Sequence, residues 1–378
     1  MKRYLVIIGG GHSQAPFVKA ANKKNLSTIV FDRNKSAPSK KDSTYFYAIS
    51  THDNKKIESI LLNLNKDLIG CITYSAHPSA LKTTAYLNER FKLKGISLTN
   101  LKYFLKKDLF HDAIKNLNIK TPISWTFNSI VSAQGMLKPN ERYVAKPSRG
   151  GYGSKGINLV SHKDDLFEKK YEAAAENSLD KKVILQEFID GKEYNISGFV
   201  YDDIPHLLLL CKKHILFETS GNKIESFKNN SNDTTLLTKI SHEVRKIFQF
   251  IKLSNTFFNI DIIVNENDIF FIDFNLLLDT KIDRFLYFMG VDIYSLQIDL
   301  VLNQVDIKAF DLIRNHSKKE ATMRFIYDQP LATSLESKAK DTNSGIVYEP
   351  LLYVEDPMEN SKGNGESKLP IGILLGYR

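Results

Sequence analysis

The first hundred residues alternate between short apolar runs and longer segments in which apolar residues recur every three or four positions. Short apolar runs predict buried strands, and the longer spacing predicts helices with one buried face. The predicted order is strand YLVIIGG, helix 13–24, strand STIVFD, helix 54–65, strand LIGCITYS and helix 78–90. This alternation predicts a parallel sheet covered by helices. The loops GGGHS and SAHPS then follow strands, at the sheet edge where such folds bind ligands.

The pattern changes after residue 98. Apolar spacing predicts a helix over residues 99–118, and Thr121-Pro122 ends it. Strands rich in β-branched and aromatic residues follow, with a polar helix near 163–177 between them: ISWTF, RYVAKP, INLV, KVILQEFI and EYNISGFVYD. We expect a loop over 219–233, a helix through TLLTKISHEVRKIFQFIK, and a hairpin in which NEN joins FFNIDIIV to DIFFIDFN. Beyond Asn315, polar loops separate the strands YEPLLYV and PIGILLGYR.

The composition is typical of a globular protein. Of 378 residues, 42% are hydrophobic and 25% are charged, and this length predicts two or three domains. No apolar stretch approaches the roughly 18 residues of a membrane span, and MKRYLVIIGGG has too short an apolar region for a signal peptide. Cys71 and Cys211 lie in apolar runs, as expected of reduced, buried thiols. We therefore expect a cytoplasmic protein.

The net charge of +9 raises the question of a nucleic-acid partner. Eight Lys-Lys doublets are scattered between residues 23 and 319, whereas a nucleic-acid-binding face concentrates its charge in one stripe. A solvated lysine-rich surface fits better, with part of the charge used to bind phosphates. We expect neither nucleic acid nor a membrane as a partner.

The stretch VAKPSRGGYGSKGINLV, residues 144–160, places four glycines between two predicted strands. Residues 151–156 fit G-x-G-x-x-G, but a strand follows where a dinucleotide-binding loop requires a helix. We interpret the loop as a glycine-rich hairpin whose backbone N–H groups face phosphates, with a ligand-free surface hairpin as the alternative. Lys146 lies in an apolar strand just before the loop, and a phosphate would supply the partner that a buried lysine needs.

Two later segments place polar residues in apolar surroundings. The connector ILQEFIDGKEYNI offers Gln186, Glu187 and an apolar wall to an adenine ring, and Glu193 to a ribose, although alone it is only a strand-turn-strand. In the predicted hairpin, Asp261 and Asp273 lie on adjacent strands, and Asn275 shares a face with Asp273. Three oxygen ligands on one face suit a hard cation, with an exposed polar edge as the alternative. The apolar neighbours favour an enclosed face, where unpaired carboxylates are costly.

In order and spacing, these features resemble the ATP-grasp superfamily over about residues 1–305. The segment from SAHPSALK to NIKTP is also similar to the one between the two domains of amino-acid ligases and carbamoyl-phosphate-synthase-like members. The resemblance implies a mixed α/β and α+β fold: a Rossmann-like pre-ATP-grasp domain over 1–98, a two-lobed ATP-grasp domain over 99–314 and a small C-terminal β-rich segment over 315–378. The ATP-grasp domain would divide into a glycine-rich flap lobe at about 122–190 and a metal-binding lobe at about 191–314.

The resemblance also implies an activity. Most members are ADP-forming ligases that activate a small-molecule carboxylate as an acyl phosphate and join it to an amine or similar nucleophile. The expected cofactors are ATP and Mg²⁺, with Mn²⁺ as an alternative, and the expected partners are small-molecule acid and amine substrates. The family's nucleotide-contacting positions correspond to Lys107, Lys146, Arg149, Gly150, Gly151, Tyr152, Gly153, Gly156, Gln186, Glu187, Phe188, Ile189 and Glu193. Its metal-binding positions correspond to Asp261, Asp273 and Asn275.

The sequence departs from the family pattern at three places. Gln186 and Asp273 stand where glutamate is usual. Both keep the chemical role, which is nucleotide contact for Gln186 and metal binding for Asp273. Where many members have an arginine that stabilises the acyl phosphate, this chain has Leu277 and Asn259. Arg284 is our candidate for that catalytic role, beside Lys146, and Arg149 is a second candidate.

Two other functions stay open on the sequence. IIGGG after the first strand and Asp32 after the second resemble a nicotinamide-dependent oxidoreductase, although Gln14 occupies the place of the third glycine. A nucleotide-binding protein without catalysis is the other alternative. Acceptor contacts are expected near Arg284 and at four loop residues: His12, Ser13, Ser75 and His77. The two histidines could equally be structural. The tail over 315–378 resembles a segment that in some ligases covers the cleft or builds a homodimer contact, and both roles stay open.

Overall fold

The computed structural model describes three β-sheets with helices packed on them. It describes residues 2–75, 77–149, 156–218, 221–266, 268–278, 280–308, 321–326, 346–350 and 372–377. Within these ranges the helices are α1 (Ala15–Lys23), α2 (Asn54–Leu64), α3 (Pro78–Arg90), α4 (Leu98–Leu105), α5 (Lys107–Asn116), α6 (Ile130–Met136), α7 (Phe167–Glu176), α8 (Thr234–Ile251), α9 (Thr280–Phe288) and α10 (Ile293–Leu302), with a short 3₁₀ helix at Pro38–Asp42.

The first sheet is parallel, as the alternating pattern predicts. Its strands are β1 (Arg3–Ile8), β2 (Ser27–Phe31), β3 (Tyr45–Tyr47) and β4 (Asp67–Thr73), in the order β3-β2-β1-β4. Alternate residues of β1 enter two different cores: Val6 packs with α2 and α3, and Ile7 packs with α1. Burial on both faces explains why this strand is a continuous apolar run.

The second sheet is antiparallel and carries Lys146 and Gln186. Its strands are β5 (Ser124–Phe127), β6 (Arg142–Pro147), β7 (Asn158–Ser161) and β8 (Val183–Glu187), in the order β5-β8-β6-β7. Ala145 and Leu185 belong to a core shared with α6 and α7. Successive side chains of a strand alternate between faces, so Lys146 and Gln186 lie on the face opposite those helices.

The third sheet has eight antiparallel strands and includes the predicted hairpin. Its strands are β9 (Lys192–Tyr201), β10 (Ile204–Glu218), β11 (Gly221–Asn229), β12 (Thr256–Val264), β13 (Ile269–Asn275), β14 (Ala321–Ile326), β15 (Ile346–Pro350) and β16 (Gly372–Tyr377). The order is β13-β12-β9-β10-β11-β14-β16-β15, so the tail strands β14 to β16 continue the sheet that the hairpin begins. α8 packs its buried face on one side, where Val244 and Phe248 meet Phe258 and Ile260.

The helices α9 and α10 pack between the first and third sheets. Phe285 and Ile298 share one core with Phe17 of α1, and Lys24 Nζ lies 2.8 Å from Asp299 Oδ1. In the part of the chain described, no single helix is long and apolar enough to cross a membrane; only α9 and α10 together, bent by 100°, reach that length and apolarity.

The structure corrects several expected elements. The single helix expected over 99–118 is two helices, α4 and α5, because the backbone at Lys106 is extended, with φ −132° and ψ 102°. The loop expected over 219–233 is wrong over 221–229, where β11 forms. This strand, GNKIESFKN, is largely polar and is held by backbone pairing with β10 and β14 on either side. The sequence reasoning also missed β3, β14, α6, α9 and α10.

Candidate active site

A polar stripe runs across neighbouring strands at the β13 end of the third sheet. Cross-strand pairing places Asp261 opposite Asp273 and Asn195, and Asn259 opposite Asn275 and Ser197. Directly opposed residues, and residues two apart along a strand, share a face, so these six side chains face the same way.

The two aspartates of the stripe are partly buried although β13 is an edge strand, whereas Asn275 at the end of β13 is exposed. The side chains of Asp261 and Asp273 are 19% and 28% exposed. The segment leading into β5 covers the edge, since Phe271 N donates to the Lys120 carbonyl oxygen at 2.9 Å. Within the stripe, Asn195 Nδ2 donates to Asp261 Oδ1 at 2.7 Å, and the one Ser197 hydroxyl proton is shared between Asn195 Oδ1 at 2.8 Å and Asn259 Oδ1 at 2.9 Å. The polar groups are therefore ordered by one another.

Each of the two aspartates is bound by a lysine. Lys107 Nζ, at the start of α5, donates to Asp273 Oδ2 at 2.8 Å. Lys213 Nζ, on β10, lies 2.7 Å from Asp261 Oδ2 and 2.7 Å from Glu193 Oε1. The sequence reasoning missed Lys213, which is the second residue of a Lys-Lys doublet that looks like exposed surface. The apolar run LLLLC just before Lys213 indicates a buried strand, and this feature of the sequence could have identified the lysine.

The charges of these groups depend on one another. Burial lowers the pKa of Lys213, but Asp261 and then Glu193 outweigh burial and raise the pKa above its ordinary value. Burial raises the pKa of Asp261, and the nearby Lys213 only partly offsets this. Burial also raises the pKa of Asp273, but the positive charges of Lys107 and then Lys146 outweigh burial and bring the pKa below its ordinary value. Asp273 is therefore ionised.

Lys146 reaches the same site from the second sheet. Its side chain is buried, and its Nζ donates to Gln186 Oε1 at 3.0 Å and to the Ile272 carbonyl oxygen of β13 at 3.4 Å. Burial, and then the positive charge of Lys107, lower the pKa of Lys146 to about 7. Lys107, Lys146 and Lys213 thus approach one hairpin from a helix and from two different sheets.

The oxygen donors fit a hard divalent cation. Asp261 and Asp273 oppose each other across the hairpin, and Asn275 lies two residues beyond Asp273 on the same face. Burial disfavours the charge on Asp261, and a cation beside it would relieve that cost. Among the residues that the structure describes, no group of three His, Cys, Asp or Glu side chains could hold a metal, so the third protein donor would be the Asn275 amide oxygen.

The residues predicted to surround the base lie on β8 and in the connector after it. Gln186 Nε2 donates to Ser124 Oγ at 2.9 Å, and Glu187 N donates to the Ile123 carbonyl oxygen at 2.9 Å. The Phe188 ring lies 4.2 Å from the Arg142 guanidinium, and Ile189 is half-buried. Glu193, predicted to bind ribose, is the carboxylate that Lys213 binds, so a ribose hydroxyl would share it with the lysine.

Only the two ends of the predicted flap are described, and Gly150, Gly151, Tyr152 and Gly153 lie outside the described residues. Arg149 Nε lies 3.0 Å from Asp180 Oδ2, in the turn after α7. Gly156 has φ +75°, and a Cβ there would lie 2.8 Å from the Ala173 carbonyl oxygen of α7. Both ends are therefore anchored beside α7, and the second requires glycine.

The two positions where family members carry an arginine hold no cation here. Asn259 is buried and accepts a hydrogen bond from Ser197, and Leu277 packs against the apolar cores. Arg284 lies on α9, half-buried, in the helix that follows Asn275. The cations that the structure places against the stripe are Lys213, beside Asp261, and Lys107, beside Asp273.

The glycine loop of the first sheet is filled by the chain itself. Gln14 is buried, and a Cβ at Gly9 or Gly11 would lie 3.4 or 3.2 Å from its side chain. Gly10 N donates to Asp32 Oδ2 at 2.6 Å, so Asp32 is bound to the loop rather than presented to a ribose. Gln14 thus occupies the space that a third glycine would leave for a pyrophosphate, and the oxidoreductase alternative is not supported.

Comparisons with known proteins agree with this geometry. The family model for the ATP-grasp domain matches residues 106–280. No curated protein sequence gives a significant match. Similar solved structures include an N5-carboxyaminoimidazole synthetase from Staphylococcus aureus complexed with ADP, at 15% identity and TM-score 0.71, covering 100% of this chain and 94% of that one.

Two further solved structures share the fold. An L-amino acid ligase from Bacillus licheniformis has 14% identity and TM-score 0.71, covering 100% of this chain and 93% of that one. A phosphoribosylglycinamide synthetase from Anaerococcus prevotii has 17% identity and TM-score 0.65, covering 100% and 94%. Residues 106–280 match the ATP-grasp domain, and the resemblance and the fold class inferred from the sequence are confirmed.

Proposed function

We propose that the protein is an ATP-dependent ligase that activates a small-molecule carboxylate as an acyl phosphate and joins it to an amine or similar nucleophile, releasing ADP. The observation that carries the proposal is the convergence of Lys107 and Lys146 on β13, where one binds Asp273 and the other binds the Ile272 carbonyl oxygen. Cations from a helix and from the second sheet, beside a pair of carboxylates, suit a triphosphate held with a divalent ion. The ATP-grasp match and the ligases and synthetases of the same fold support it.

In this proposal the residues of the site place positive charge where negative charge develops during the reaction. A carboxylate oxygen of the acid attacks the γ-phosphorus, the bond to ADP breaks, and the amine then attacks the acyl carbon and expels phosphate. Lys107 and Lys146 would donate to phosphate oxygens throughout, and Asp261, Asp273 and Asn275 would hold Mg²⁺, which neutralises phosphoryl charge when bound. The flap between Arg149 and Gly156 would keep water from the acyl phosphate.

The missing family arginine is the main argument for a protein that binds nucleotide without catalysis. Lys213 offers a fixed positive charge in the stripe, 2.7 Å from both Asp261 and Glu193. We propose that Lys213, together with Arg284 from α9, supplies the charge that the family arginine provides elsewhere.

A cleft between α1 and the α9–α10 pair is our candidate for the acceptor substrate. It has a volume of about 420 Å³ and is lined by His12, Lys19, Lys23, Tyr287, Asp292 and Tyr294, with three small residues of α1. Asp292 caps α10, accepting from Tyr294 N and Ser295 N at 3.1 Å each. The lysines favour an anionic group and the tyrosines a planar one. For His77 we propose a structural role instead, because its Nδ1 accepts from Ser79 N at the start of α3.

The proposal is tested by incubating the purified protein with ATP, Mg²⁺ and pooled acids and amines. We expect release of ADP and phosphate that requires both an acid and an amine, and a product lighter by one water than their sum. Binding of MgATP without release for any pair would favour the inactive alternative. No calorimetric heat on titration with MgATP would overturn the proposal. A cytoplasmic location and a homodimer stay predictions.

A further inference from the structure

The side-chain amide of Gln186 is held by three polar groups in a buried part of the candidate site. Lys146 Nζ donates to its Oε1 at 3.0 Å, its Nε2 donates to Ser124 Oγ at 2.9 Å, and its Nε2 lies 3.4 Å from His111 Nε2. Lys146, Gln186 and His111 are 5%, 4% and 6% exposed. Polar groups buried to this degree need partners of the correct donor or acceptor type.

The chemistry of the four groups fixes which atoms face each other. An ammonium has no lone pair, so the amide atom that faces Lys146 must be the oxygen. The amide NH₂ then faces His111, and because NH₂ only donates, His111 Nε2 must accept and carry no proton. The proton of the neutral ring therefore lies on Nδ1, which donates to Thr121 Oγ1 at 2.5 Å. Only one tautomer of neutral His111 satisfies every contact.

The helix α5 connects this arrangement to the carboxylates. His111 is one turn beyond Lys107 on the same helix face, so α5 presents Lys107 to Asp273 and His111 to Gln186. Gln186 stands where the family pattern has glutamate, and a neutral amide orients Lys146 without neutralising it. The lysine charge then remains available to a phosphate.

We propose that His111 is a positioning residue for the proposed nucleotide site: its neutral ring holds the Gln186 amide in the orientation that presents the oxygen to Lys146. The inference rests on the proposed function, because the role assigned to Lys146 is to bind ATP phosphates. A ring that cannot accept would release the amide to rotate, and a rotated amide would present NH₂ to the ammonium. Lys146 would then lose the acceptor that directs it.

The test is a double-variant cycle read by calorimetric binding of MgADP. His111→Leu removes the acceptor, and we expect the Kd to rise about tenfold. In the Gln186→Leu background the same change should have no further effect, because no amide remains to be held. His111→Gln restores an acceptor and should return the Kd to within about threefold of wild type. An equal loss in both backgrounds would overturn the proposal, because a purely structural role of His111 does not depend on Gln186.

A second measurement covers the case in which His111→Leu does not fold. In Gln186→Glu, the carboxylate accepts only, so His111 Nε2 must carry a proton to contact it. The adjacent negative charge favours the protonated ring, so the pKa of His111 should rise in an NMR titration of the imidazoles. Comparison with His111→Gln identifies the signal. An unchanged titration would overturn the contact. If wild type binds no MgADP, the proposed function fails instead, and the NMR result still decides the role of His111 toward Gln186.

Discussion

Lys107 and Asp273 join helix α5 to the edge strand β13 by an ion pair of 2.8 Å, in which the lysine and aspartate side chains are 17% and 28% exposed. The pair links two residues that the sequence marks separately, one as a phosphate ligand and one as a metal ligand. Without nucleotide, each serves as counter-ion to the other. Binding of nucleotide and cation would therefore replace this ion pair by two stronger contacts. Lys107 would contact phosphate, and Asp273 would contact the cation.

Asp273→Ala should abolish turnover and leave the fold intact. The variant removes a carboxylate that the proposal places on Mg²⁺, and we expect at least a hundredfold loss of ADP release, on the order of losing a major charge contact in the transition state. Circular dichroism should match wild type.

The matched control for this change is Asp268→Ala. Asp268 lies just before β13 and also pairs with a lysine, Lys120, at 2.5 Å, but it is outside the polar stripe. Its activity should stay within about twofold of wild type because exposed ion pairs contribute little. Normal turnover by Asp273→Ala would show that the metal assignment is wrong.

Lys213→Met should lower stability more than a surface substitution does. It leaves two partly buried carboxylates, Asp261 and Glu193, without the buried lysine that they share, and breaking a buried ion pair costs about 3–5 kcal/mol. Urea unfolding measures the loss, and the neighbouring Lys212→Met is the control, with an expected change under about 0.5 kcal/mol.

The double variant Lys213→Met with Glu193→Gln separates charge from packing. Removal of one carboxylate relieves the repulsion, so the double variant should recover part of the stability that Lys213→Met loses. Strictly additive losses would show that Lys213 acts through its packing and not through its charge.

The sequence predicts the first sheet and the hairpin well because their residues follow simple periods. VIIGG and IVFD are buried on both faces, and FFNIDIIV alternates in a way that places Asp261 and Asn259 on one side. The spacing of Lys107, Lys146 and the hairpin carboxylates was sufficient to indicate the ATP-grasp fold. These features are local in the sequence or are separated by recognisable turns.

What the sequence did not indicate depends on contacts between distant segments. Lys213 becomes a site residue only because β10 pairs with β9, which brings it to Glu193 and Asp261. His111 is one of nine histidines, and its role depends on β8 delivering Gln186 from 75 residues away. β11 is too polar to be predicted as a strand, and its pairing partners alone define it.

MgADP binding should weaken as the pH rises through 7. Burial and the charge of Lys107 lower the pKa of Lys146 to about 7, so the lysine is charged at pH 6 and largely neutral at pH 8. The charged form binds phosphate, so the affinity should fall about tenfold across this range, and binding should take up a proton near pH 8. Calorimetry in buffers of different ionisation enthalpy measures both the affinity and the number of protons taken up.

The control for this pH dependence is Lys146→Arg. A guanidinium stays charged throughout the range, so the variant should bind MgADP with nearly constant affinity between pH 6 and pH 8. The same fall in affinity for wild type and variant would assign the dependence to another group, such as the nucleotide itself.

His111 should make the fold sensitive to mild acid. Burial, and then the charge of Lys146, lower the pKa of His111 to about 3, whereas an unfolded histidine titrates near 6.5. Between these values the unfolded chain binds a proton that the folded chain does not, so the contribution of His111 to stability is complete above pH 6.5 and is lost as the pH falls. From pH 7.5 to 5.5 the loss is about 1.4 kcal/mol in the free energy of unfolding. His111→Gln has no proton to bind, so urea unfolding at the two pH values should show a loss smaller than that of wild type by this amount. Equal losses for the two proteins would mean that the ring binds its proton in the folded state, which is incompatible with an unprotonated Nε2 facing the Gln186 amide.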